Sequence, residues 1–98
     1  MKFVSLTRSP LPSKKLRVTL LEGEKEHHVD FGSRIPYMED FTKHHSEVRK
    51  QLYLGRHRAR ENWTHSGLLT AGFWSRWILW NKPSAAESLR QVRRDFGL

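Results

Sequence analysis

Residues 56–83 read RHRARENWTHSGLLTAGFWSRWILWNKP, and the rest of the chain has to be arranged around them. All four tryptophans lie here, Trp63, Trp74, Trp77 and Trp80, together with Phe73, and each such ring buries on the order of 150–250 Å² when packed. No other segment offers that much apolar area, so these five rings are the expected core. Thr70 is a candidate N-cap and Asn81-Lys82-Pro83 a stop, so the spacing predicts a helix of about three turns between them. At 100° per residue, Trp80, Phe73, Trp77, Trp74 and Ile78 spread over about 160°, wider than the ~100° stripe of a helix with one face on a core. The reading is a central helix touched on more than one side, with Trp77, in mid-arc, nearly fully buried.

On the N-terminal side of this stretch, Ser46 caps a predicted helix from Glu47 to about Arg60, with the carboxylate of Glu47 at the positive end of the dipole. Val48, Leu52, Gly55 and Ala59 fall within about 60° on it and read as a narrow small-residue seam for packing. Arg49, Lys50, His57 and Arg60 form a basic flank to one side. On the C-terminal side, Ser84-Ala85-Ala86-Glu87 is a capping-box pattern. Ala85, Leu89, Val92 and Phe96 make one stripe of a last helix, which Gly97 closes.

The N-terminal third has the other periodicity. Lys2 to Thr7 alternates, with Val4 and Leu6 on the face opposite Phe3, and ends at two prolines, Pro10 and Pro12, that forbid a continuing central strand. Lys14 to Leu21 and Lys25 to Phe31 are strand-like runs joined by Glu22-Gly23-Glu24, a hairpin loop. Leu16, Val18 and Leu20 share a face that Val29 and Phe31 can meet, while Arg17, Thr19, His28 and Asp30 point the other way. Gly32 to Tyr37 reads as a loop, and Met38 to Lys43 as either one helical turn or an extended crossing. The expected fold is α+β: one domain over residues 1–98, with a three-stranded antiparallel sheet in 1–32 and a helical half in 46–97 whose three helices pack around the tryptophan-rich one.

Ninety-eight residues suffice for one domain that buries roughly 60–65% of its unfolded surface. The absence of cysteine excludes disulfides, thiolate metal sites and cysteine nucleophiles. No apolar run approaches the ~18 residues of a membrane span, and the first residues lack the apolar block of a signal peptide, so a soluble, untargeted chain is expected. The net charge is +8; residues 1–45 carry eight Lys/Arg against six Asp/Glu, and residues 46–98 ten against four. The basic surplus lies in the helical half and calls for a polyanion or an acidic protein surface as partner.

Catalytic and metal chemistry is not visible in the pattern. The six histidines include two adjacent pairs, His27-His28 and His44-His45, and neighbours on a strand face opposite ways. No His pair stands at i, i+4 on a helix, so zinc signatures fail. Glu22, Glu24 and Glu26 read as a solvated hairpin edge, there is no phosphate-cradling glycine loop, and a nuclease-like grouping of Arg56, His57 and Glu61 reads as a surface patch. The chain is expected to be no enzyme and to use no cofactor or metal. Its binding candidates are Arg49, Lys50, Arg58 and Arg60 on the first long helix and Arg90, Arg93 and Arg94 on the last, since guanidinium forks suit phosphate and carboxylate. The bland alternative lays Arg56 and Arg76 on tryptophan faces.

RHRARENWT over 56–64 and TAGFWSRWILWNKP over 70–83 resemble a motif, RHxxRENWT followed by TAGFWSRWLLWNKP, of a family of short proteins of giant, nucleocytoplasmic large DNA viruses of algae and amoebae. Looser agreement reaches from the Lys14-Lys15 strand to the Ser84 helix; the chain departs from the pattern at Ser46-Glu47-Val48, where the family has Asp-Pro-Glu, which keeps a cap residue. The resemblance implies no activity. It implies a setting: a virion component, a minor capsid or internal structural protein, assembled in the host cytoplasm with larger virion or capsid proteins as partners. The alternative is sequence-independent nucleic-acid binding through the same basic faces.

Overall fold

The computed structural model describes residues 1–35 and 39–98. Strands β1 (Lys2–Arg8), β2 (Lys14–Glu22) and β3 (Lys25–Ser33) form an antiparallel meander in the order β1-β2-β3. Then come α1 (Phe41–His44), α2 (Glu47–His57), a 3₁₀ turn at His65–Gly67, α3 (Ala71–Trp74), a π-helical turn at Ser75–Leu79, and α4 (Ala85–Asp95). The fold is α+β, as the periodicities predict. Of the stretch left open between a helical turn and an extended crossing, Phe41–His44 is the turn; Met38 lies outside the described residues, as do Pro36 and Tyr37 of the predicted loop.

Within the hairpin, Leu16 pairs with Phe31 and Val18 with Val29, which puts the apolar set on one face. Gly23 takes φ +61 in a turn of only two residues, shorter than the predicted loop. β1 departs from simple alternation: Phe3 pairs with Leu20 but Ser5 pairs with Thr19, so Val4 is an extra residue in a β-bulge. The bulge brings Phe3 and Leu6 together against the core and leaves Val4 exposed, correcting the face assigned to Val4. On the opposite face, Arg17 donates from Nε and Nη2 to the two Asp30 oxygens at 2.9 and 3.0 Å, and Ser9 donates to the same carboxylate at 2.6 Å. These bonds, the Arg17 ones foremost, hold the Asp30 carboxyl below the usual carboxylate range.

The core joins Val18, Leu20, Val29 and Phe31 of the sheet to Leu68, Phe73, Trp74, Ile78, Leu79 and Val92. Thr70 caps α3 as predicted, accepting from Phe73 N–H at 3.3 Å. The helix does not continue as α. Trp80 N–H donates to the Ser75 carbonyl at 3.1 Å, an i→i+5 bond, and this wider turn is how the broad aromatic arc fits between sheet and α4. It also reassigns the buried ring. Trp74, not Trp77, is fully buried, with Nε1 donating to the Leu68 carbonyl at 2.7 Å. Trp77, Trp80 and Trp63 are half-buried. Trp77 Nε1 donates to the Trp63 carbonyl at 2.9 Å. The Arg76 guanidinium lies 4.3 Å over the Trp77 ring and 5.6 Å over Trp63.

α4 keeps its predicted stripe, with Val92 buried and Ala85, Leu89 and Phe96 packed against the core. Ser84 accepts from Glu87 N–H at 3.3 Å. Gly97, at φ +67, lets Leu98 N–H reach the Arg93 carbonyl at 2.9 Å, a glycine-terminated helix end.

Candidate functional site

α2 is capped as predicted, Ser46 Oγ accepting from Arg49 N–H at 3.3 Å, but it presents the opposite face to the core. Tyr53 and Leu54 are its buried residues. The Tyr53 ring stacks on Trp80 at 4.3 Å with planes 3° apart and on His57 at 4.2 Å. Lys50 Nζ donates to the Asn81 carbonyl at 2.7 Å and sits 4.9 Å over the Phe41 ring. Lys50, Tyr53, Leu54 and His57 therefore form the packing face, half a turn from the predicted seam.

The predicted seam points outward. Val48 is 71% exposed and Leu52 56%, and Gly55 and Ala59 are exposed with them. A Cβ built on Gly55 would meet nothing within 4 Å. A glycine inside a helix costs roughly 0.5–1 kcal/mol relative to alanine, and no contact among the described residues accounts for it. At 100° per residue Arg49 and Arg56 flank the stripe on one side and Arg58 on the other. All three arginines, and Arg60 beyond them, are exposed.

The predicted basic residues thus divide. Arg49, Arg58 and Arg60 stay on the outer surface of α2 and the turn after it, whereas Lys50 is a clamp between α2 and Asn81, which corrects its place among the binding residues. Of the three on α4, all exposed, Arg93 lies 4.6 Å over the Phe3 ring and donates to the Leu98 carbonyl at 3.3 Å. Arg94 pairs with Asp95 at 3.1 Å. Arg90 has no ion pair among the described residues. Arg76, which also donates to the Trp80 carbonyl at 2.8 Å, is a structural cation; burial depresses its pKa. Arg56 rests on no tryptophan face among the described residues.

Sequence reasoning missed a cavity of about 530 Å³ between the end of the hairpin, α2 and α3, with Lys14, Arg49, Tyr53, Arg56, Glu61 and Ser75 on its walls. It brings Arg56, His57 and Glu61 together, with His57 Nδ1 3.6 Å from Glu61 Oε1. The missing side chain of Gly72 makes room for Glu61: a Cβ there would lie 1.8 Å from Oε2. Burial, and next the charge of Glu61, pushes the Tyr53 phenol up to about 12. The i, i+4 spacing of Tyr53 and His57 was the legible signal for this wall. At the start of α2, His44 Nδ1 accepts from Ser46 N–H at 2.9 Å; burial, then Arg49, lowers its pKa and favours the neutral ring.

Among the described residues no helix is long and apolar enough to cross a membrane. The model of a family of unknown function, DUF5754, matches residues 4–57, from β1 to the end of α2. No curated protein and no solved structure matches the chain.

Proposed function

We propose that this chain, which belongs to that family of unknown function, is a non-catalytic interaction protein that seats an acidic helical segment of a larger protein on the outward face of α2. The single observation that carries this reading is the unpartnered stripe of Val48, Leu52 and Gly55 on α2 between rows of exposed arginines. Ala59 continues it in the turn that follows the helix, which ends at His57, short of the predicted Arg60. Apolar contact at the centre with arginine at the margin is the composition of a protein interface, and the empty space at Gly55 admits a close-packed helix backbone. Charge decides the occupant. A second copy would bring two chains of net charge +8 together, while glutamates on a partner helix complement Arg49, Arg56 and Arg58. A duplex backbone would match the arginines but not Val48 and Leu52 between them, and on α4 Arg93 and Arg94 are engaged within the chain.

The setting is the particle of a large DNA virus, where the protein is a minor capsid or internal component beside larger subunits. The motifs at 56–64 and 70–83 support that setting. Quantitative mass spectrometry of purified particles of the virus that encodes the chain is expected to find it at fixed stoichiometry and to recover it with shell or core proteins on graded disruption. Absence from the particles removes the setting. Duplex DNA binding with a steep inverse salt dependence, about −0.9 in log–log slope per phosphate neutralised, would replace the docking reading with the nucleic-acid one.

A further inference from the structure

The cavity between the hairpin, α2 and α3 borders the docking face, sharing Leu52, Arg49 and Arg56 with it, but opens inward from the stripe and excludes Val48, Gly55 and Ala59. Its volume, about 530 Å³, lies within the range of small-molecule pockets. One of its acids is already matched: Asp40 accepts from Lys15 Nζ at 2.5 Å, while Glu61 lies 3.6 Å from His57 Nδ1, an ion pair only when that imidazole is protonated. Lys14, Arg49 and Arg56 line the same cavity without an ion pair among the described residues, opposed by the carboxylates of Glu39 and Glu61. Tyr53 is held rigidly between Trp80 and His57, and its hydroxyl has no hydrogen-bond partner among the described residues. We propose that this cavity binds a small phosphorylated anion, the phosphate taken by Arg49, Arg56 and Lys14 and receiving a hydrogen bond from the Tyr53 hydroxyl.

Phosphate fits better than carboxylate because a phosphate monoester carries a charge of about −1.5 to −2 and three strong acceptor oxygens. A carboxylate offers only two acceptor oxygens to the three cations and the Tyr53 hydroxyl. Guanidinium forks bind phosphate through paired, charge-assisted N–H donors. The volume exceeds what inorganic phosphate fills, which favours an organic phosphate.

Calorimetric titration of the folded protein at low ionic strength, with inorganic phosphate and with adenosine monophosphate, tests the site. Saturable one-to-one binding is expected, weakened about tenfold or more in Arg49→Gln and in Arg56→Gln and unchanged in Arg90→Gln on α4. Tighter binding of the nucleotide assigns an organic phosphate; equal binding assigns the free anion. No saturable binding of either probe, or an equal loss in Arg90→Gln, overturns the proposal. Val48→Asp changes the stripe outside the cavity, so it is expected to keep full anion affinity, which separates this site from the docking face.

Discussion

Tyr53 concentrates the chemistry of this molecule in one side chain: packed at 8% exposure between two rings, with its phenol raised to about 12. The unfolded phenol ionises near 10, so the folded state holds the proton more tightly. The resulting stability is fully present below pH 10 and is lost as pH rises from 10 to about 12. A shift of this size corresponds to roughly 3 kcal/mol. Denaturant midpoints measured across that range are expected to fall steeply for the parent and much less for Tyr53→Phe, while near-ultraviolet absorbance shows Tyr53 ionising late. Parallel curves for the two proteins would place Tyr53 in water. Trp74 and Trp77 make the second test. Trp74→Ala removes a fully buried ring and is expected to cost about 3–5 kcal/mol; Trp77→Ala, half-buried beneath Arg76, costs less in the same denaturation experiment. Phe73, Trp74, Trp77 and Trp80 were legible as core rings, whereas Trp63 packs outside the core cluster under Arg76. The order of burial was not legible, because the i→i+5 turn at Ser75–Leu79 breaks the 100° rotation on which the mid-arc position of Trp77 rested.

At the scale of the element, α2 shows where helical periodicity misleads. Val48, Leu52, Gly55 and Ala59 are apolar at helical spacing, which predicts a packing seam. The face that packs consists of Lys50, Tyr53, Leu54 and His57, three of which carry polar groups. Their burial is driven by stacking and by a carbonyl acceptor for Lys50, terms that hydrophobic spacing does not weigh. Three caps were legible, Ser46, Thr70 and Ser84, each accepting from the N–H three residues on; Asp40, which caps α1 by accepting from Thr42 N–H, was not. Two glycines separate the faces experimentally. Gly55→Ala places a methyl in open space and is expected to raise stability by about 0.5–1 kcal/mol while weakening partner docking. Gly67→Ala drives a Cβ to 2.0 Å from the Asn62 carbonyl oxygen and is expected to lower the thermal midpoint. The opposite order would mean that the outward face of α2 is covered.

At the scale of the whole molecule, the α+β division, the meander and the apolar face of the hairpin followed from period-two and period-3.6 patterns. The cavity did not, because it is enclosed by residues far apart in sequence, Lys14, Arg49, Arg56 and Ser75. What the architecture does is spend its aromatic area inside, on the sheet and α4, and leave one helix with an apolar stripe facing out. Reversal of the outermost charges, Arg58→Glu with Arg60→Glu, should leave folding within about 0.5 kcal/mol and weaken partner association through repulsion, read as a slower association rate. The most direct measurement is incorporation of the double variant Val48→Asp/Leu52→Asp into particles, with its denaturation midpoint taken alongside. The account predicts a protein as stable as the parent that is missing from the particles. A variant that fails to fold would show that the stripe is core, and one that folds and is incorporated in full would show that the partner docks elsewhere.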